Sequence, residues 1–127
     1  MKVCAGKGKY SVELQLIPCE EGAAVVLTGG EKTHIGAVVL AVPRQSLTGD
    51  GLSCDSYVMP VPGHKDHIVA LSVAEKLCRL LGAPVSVSAG IHIENASKDE
   101  LGILQKNCQD VLSLIVAQLE KDRYIKE

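Results

Sequence analysis

An α+β fold is predicted, with a largely antiparallel sheet of about five strands and two helices packed on one of its faces. Three observations predict it. Segments that alternate apolar and polar residues crowd the first half of the chain, an amphipathic helical stripe follows residue 66, and one more strand separates that stripe from a second. The element order is therefore β-β-β-β-α-β-α.

The first strand covers residues 9–17, where Tyr10, Val12, Leu14 and Leu16 alternate with Ser11, Glu13 and Gln15. CEEGA turns the chain into AAVVLT, and GGEK turns it again into THIGAVVLAV at residues 33–42. The nearly continuous apolar character of this third strand predicts a central position, covered on both faces. Residues 43–53, PRQSLTGDGLS, read as a polar, Gly-rich mobile loop before the strand CDSYVMPV. A helix is expected over 66–81, with Asp66 as N-cap, a buried stripe of Ala70, Ala74, Leu77, Cys78 and Leu81, and Gly82 and Pro84 as its stop. PVSVSAGIHIE is the fifth strand, with Val85, Val87, Ala89, Ile91 and Ile93 on one face. Ser97 and Glu100 have the spacing of a capping box. The last helix carries Leu101, Leu104, Cys108, Val111, Ile115 and Leu119 as its stripe, and the charged tail RYIKE is expected to fray.

The whole chain, 1–127, reads as a single domain with an aliphatic core, because Phe and Trp are absent. A net charge of −2 without a basic stripe or aromatic platforms argues against a nucleic-acid binder. The longest apolar run, 35–43, is too short to span a bilayer, and MKVCAGKGKY has no signal-peptide character. Five scattered cysteines, none in a C-x-x-C, suit a reduced cytoplasmic protein. Cys4, in a Lys-rich N-terminus expected to be mobile, has no feature of a designed reactive thiol.

Two strands carry mirrored motifs, HIG at 34–36 and GIH at 90–92. In each, a histidine and a glycine two residues apart face the same side. If the two strands lie near each other, Gly36 and Gly90 leave a flat patch edged by His34 and His92, on which a planar ring could rest. Glycines that admit a packed helix, beside hydrogen-bonded histidines, fit the same pattern. VPGHKDH at 61–67 feeds a helix N-terminus, where Gly63, His64 and Lys65 suit a phosphate or carboxylate, although a plain Pro-Gly turn reads as well. It is not a P-loop. His34, His64, His67 and His92, with Glu94 or Asp66, could also gather as metal ligands for a small hydrolase, but no H-E-x-x-H motif supports it. No G-x-S-x-G elbow occurs, Ser97 is better spent as a cap, and no catalytic residue is assigned. Arg44 stands at the mouth of the 43–53 loop, free to clamp an anion or to do nothing.

Taken together, HIGAVVLAVPR, VPGHKDHIVA, AEKLCRLLGAPVSVSAGIHIENAS and the SKDEL helix start resemble the small D subunits associated with hydroxyarylic acid decarboxylases such as gallate decarboxylase, a prenylated-flavin chaperone-like family. The resemblance runs from about residue 9 to 115. It implies a non-catalytic accessory protein that holds oxygen-sensitive prenylated FMN, or FMN, between a flavin prenyltransferase and a decarboxylase. Carried over by motif, the cofactor-binding positions are His34, Gly36, Gly63, His64, Lys65, Gly90, His92 and Asn95. The family is similar in fold to proteasome assembly chaperones, which implies a homodimer. The loop QSLTGDG departs from the pattern, where a second proline is expected soon after Arg44. A scaffold subunit acting through protein contacts alone remains the competing reading.

Overall fold

The computed structural model describes residues 1–63 and 65–125. The elements are β1 (Lys2–Ala5), β2 (Val12–Cys19), β3 (Gly22–Gly30), β4 (Ala37–Gln45), β5 (Leu52–Pro60), α1 (His67–Leu81), β6 (Val85–His92) and α2 (Lys98–Lys121), with a 3-10 turn at Gly8–Tyr10. The fold is α+β, as the sequence predicts, with six strands instead of about five. The extra strand is β1, a four-residue edge strand from the N-terminus expected to be mobile. It pairs antiparallel with β2, matching Cys4 with Glu13, and at four residues it is too short for a period-of-two search to single out.

The sheet order is β1-β2-β3-β6-β4-β5. All neighbours are antiparallel except β3 and β6, which run parallel from Ala23↔Val85 to Gly30↔His92. A parallel neighbour requires a long crossover, and the chain between β3 and β6 (the β4–β5 hairpin plus α1) supplies it. The 43–53 segment is mostly sheet: β4 continues to Gln45, Ser46 and Gly51 share a turn hydrogen bond, and β5 starts at Leu52.

Alternation sorts the residues between two faces. Val12, Leu14, Leu16, Val25, Leu27, Val39, Ala41, Val85, Val87 and Ala89 point into one core, where they meet Ala70, Val73, Ala74 and Leu77 of α1 and Leu104, Val111, Ile115 and Leu119 of α2. Full burial of each Leu, Ile or Val contributes about 1.5–3 kcal/mol. β4 is covered on that face alone, for Leu40 is exposed on the other. Its apolar run thus marks an uncovered face, not the two-sided burial predicted for it. The tail also departs from expectation as far as Ile125, with Lys126 and Glu127 outside the described residues. Arg123 adopts a positive φ, Tyr124 donates its N–H to the Leu119 carbonyl, and Ile125 tucks into the core.

Candidate functional site

The three motif elements meet at one carboxylate. β4 begins only at Ala37, opposite Ala89, so the edge of β6 beyond Ala89 has no β4 partner. The side chain of Asp66 takes that place. Its Oδ1 accepts the Ile91 N–H at 2.9 Å, and its Oδ2 lies 3.0 Å from His34 Nε2. Asp66 is 8% exposed. A carboxylate so buried is tolerable only when hydrogen-bonded and paired, and a backbone N–H and an imidazole meet that need. One side chain thus ties the 33–36 segment, the end of β6 and the start of α1 together.

The glycines serve this junction. A Cβ on Gly36 would collide with the Asp66 carboxylate, and one on Gly90 with the His34 carbonyl. The flat patch expected from the sequence is therefore absent. The strands are neighbours as required, but the space above both glycines is filled by the protein itself. His34 and Gly36 also precede β4 instead of lying within it.

The histidines do come together. The rings of His34 and His92 stand 6.1 Å apart, edge to face at 84°. His92 Nε2 lies 3.0 Å from Glu94 Oε2, and the Glu94 N–H donates to Glu31 Oε1 at 3.1 Å. The result is a row in which two imidazoles touch and each has its own carboxylate. Asn95 follows with φ 51°, a left-handed turn that leads β6 into the Ser97 cap. Asparagine tolerates that conformation, which gives it a local reason to be there. His64 lies outside the described residues. Arg44 is engaged across the β4–β5 hairpin, donating from Nε to Asp55 Oδ1 at 2.7 Å. Among the described residues, no three His, Cys, Asp or Glu side chains converge as a metal site. No described helix is long and apolar enough to cross a membrane.

A groove of about 610 Å³ runs between α1 and α2. Ile68, Val69 and Val73 form one wall, Leu101, Leu104 and Leu112 the other, and Gly63, Lys65, Asp66, Ile91 and His92 also line it. The volume lies within the roughly 300–1,000 Å³ of small-molecule sites, and an apolar lining with a few convergent polar groups is their usual composition. Cys108 lines it too, its thiol pushed up to about 12, by burial first and then by the negative charge of Asp66. It therefore stays protonated and weakly nucleophilic.

Of the residues the sequence singles out, Gly63, Lys65 and His92 reach this groove, His34 touches His92, and Gly36 and Gly90 seat the junction behind them. Sequence reasoning missed the helical walls. Leu101 reads as a core position by spacing but lies half-exposed on the groove's lip, and Ile68 falls outside the buried stripe of α1. An apolar residue displaced from the stripe was the available signal.

No curated protein matches the chain. Among solved structures, a chain from a novel chaperone complex for yeast 20S proteasome assembly shares the fold, with 15% identity, 90% of this chain and 95% of that chain covered, and a TM-score of 0.51. The family profile described as the prenylated flavin chaperone LpdD-like domain matches residues 6–120, a span that takes in the HIG, PGHKD and AGIH elements and both walls of the groove. The chain belongs to that family.

Proposed function

We propose that this protein is a non-catalytic cytoplasmic chaperone that holds prenylated FMN, or FMN, in the α1–α2 groove. It would receive the cofactor from a flavin prenyltransferase, pass it to a prenylated-FMN-dependent aromatic acid decarboxylase, and act as a homodimer. The observation that carries this reading is the groove itself, because its apolar walls and its polar residues from the PGHKD and AGIH elements join in one cavity of suitable volume. The residues present fit the cofactor's chemistry. Lys65, the Gly63 backbone and the start of α1 suit the phosphate. His92, with His34 behind it, stands where the polar edge of the ring system would lie, while Ile68, Val69, Leu101 and Leu104 suit the ring and its prenyl-derived part. His64 and Asn95 belong to the proposed site by motif. Gly36 and Gly90 belong to it by letting Asp66 and His34 pack.

The bound group supplies the decarboxylase's chemistry, and this chain's task is to bind it and keep water from it. Nothing in that task calls for a nucleophile, which accords with a Cys108 thiol held protonated beside the ligand.

The test is direct. The purified protein is mixed anaerobically with reduced prenylated FMN or with FMN, and the spectrum and co-elution on a sizing column are followed. Retention of a flavin is expected. Lys65→Ala should weaken it roughly 10-fold or more, the loss expected for one charged hydrogen bond, and His92→Ala should shift the bound spectrum. Wild-type protein that retains neither flavin, yet still co-purifies with the decarboxylase, would replace this reading with the scaffold one.

A further inference from the structure

The two edges of the sheet are unequal. β1 is four residues long and carries Lys2, features that discourage further pairing. β5 runs nine residues, Leu52–Pro60, and pairs with β4 one to one, without a bulge, from Gln45↔Leu52 to Ala37↔Pro60. Its one charge, Asp55, is held by Arg44 at 2.7 Å, and Leu52, Tyr57, Val58 and Met59 are exposed. The Val61 N–H donates to the Gly36 carbonyl at 2.8 Å, and the Ser46 N–H to that of Gly51 at 3.1 Å, at the two ends of the ladder. Bonded pairs alternate in an antiparallel ladder, so Ser53, Asp55, Tyr57 and Met59 turn their backbone groups to β4. Leu52, Cys54, Ser56 and Val58 turn theirs outward, and among the described residues no strand lies beyond β5 to receive them. Pro60, the next outward position, has no N–H and closes the edge.

We infer that an extended segment of the decarboxylase that takes the cofactor adds to this edge as a seventh strand, an inference that rests on the flavin reading above. Main-chain hydrogen bonds give such an added strand its affinity, and the alternating side chains give it specificity. Two observations select this occupant. The first is continuity: three residues past Pro60 the chain reaches Gly63, and then Lys65, both in the wall of the groove. A strand paired along β5 is therefore delivered to the groove beside the residues that suit the phosphate. The second is charge. Cys54 and Ser56 face α1, where Glu75 already accepts the Ser56 hydroxyl at 3.0 Å and the Cys54 thiol at 3.6 Å. One turn on, the exposed Arg79 donates only to the Cys54 sulfur, at 3.9 Å, among the described residues. The segment thus carries a carboxylate on its α1 side, for Arg79, and apolar residues on the side of Tyr57 and Met59. A second copy fits less well, because two β5 strands paired across a two-fold axis bring both Arg79 side chains to one seam.

The edge exists with or without a ligand, so affinity of the ligand-free protein for the purified decarboxylase is measured apart from flavin retention. Val58→Pro removes an outward N–H and leaves the β4 ladder whole. It should raise the dissociation constant roughly 10-fold or more, and Arg79→Glu should do so by a similar factor. Both variants should retain flavin as the wild type does, so a failure of the groove reading and a failure at the edge are told apart. Amide hydrogen exchange of the wild type, read by NMR, decides the question should Val58→Pro fail to fold. In the complex, the Cys54, Ser56 and Val58 amides should slow by about 10-fold or more, and those of Asp55, Tyr57 and Met59 should change little. No complex, unchanged exchange at the three outward amides, or a complex indifferent to both variants would overturn the inference. So would outward amides already protected in the protein alone at about 100 μM, which would give the edge to a second copy.

Discussion

The two helices begin in opposite ways. At α2, Ser97 accepts the Glu100 N–H at 3.1 Å and Glu100 accepts the Ser97 N–H at 3.2 Å, a reciprocal capping box closed within four residues. At α1, Asp66 occupies the N-cap position, yet its side chain makes no capping hydrogen bond. Its two oxygens go to Ile91 and His34, residues 25 and 32 positions away. A cap satisfied locally stabilises one helix. A cap residue diverted to long-range partners positions three elements at once. The chain thus separates stability from site-building between two otherwise similar helix starts.

The sharpest way to break this contrast is at Asp66. Asp66→Ala deprives the Ile91 N–H of its acceptor and His34 of the carboxylate, and should cost about 3 kcal/mol in urea denaturation. Asp66→Asn keeps an acceptor for Ile91 and should recover part of that loss. Next comes Gly90→Ala, whose methyl would press on the His34 carbonyl. About 1–3 kcal/mol of destabilisation is expected from the forced shift of the 33–36 segment. Ser97→Ala should cost only about 1 kcal/mol and leave flavin retention unchanged. If it weakened retention, the division of labour between the helix starts would be wrong.

The smallest effect concerns acid. Glu100 also receives Lys9 Nζ at 2.8 Å and the Tyr10 hydroxyl at 3.0 Å. The Lys9 contact, then the Ser97 N–H and Tyr10, hold its carboxyl down at about 2 against an ordinary 4.5. A carboxyl depressed on folding stabilises fully above its unfolded value, and that contribution fades as pH falls from about 4.5 towards about 2. Melting curves of Glu100→Gln should therefore change less with pH across this window than those of the wild type.

Much of this was legible in the sequence because it is local. The period-of-two strands, the Ala70–Ala74–Leu77–Cys78 stripe, and the Ser97–Glu100 box follow from residues a few positions apart; the structure has all three, although the first strand read begins at Val12 and not Lys9, and the third at Ala37 and not Thr33. The position of β6 between β3 and β4 is set by which strands meet across more than forty residues, and no local spacing records it. Asp66 shows the limit most clearly. Its position names it a cap, but the geometry around the missing β4 partner draws its carboxylate elsewhere. The mirrored HIG and GIH motifs correctly brought two histidines together, while their glycines turned out to admit a carboxylate and a carbonyl, not a ring.

The central place of β6 has a consequence for how the molecule comes into being. Until residues 85–92 emerge and insert, β3 and β4 are both open edges, and the chain is two separate β units joined by a loop. Such edges are prone to wrong pairing, and closing them over a long sequence separation is slow. The same insertion delivers the Ile91 N–H and His92, so the proposed site cannot form before the sheet is complete and α2 has packed beside it. A nascent or partly unfolded chain lacks the proposed site, so any ligand bound there would report a finished fold.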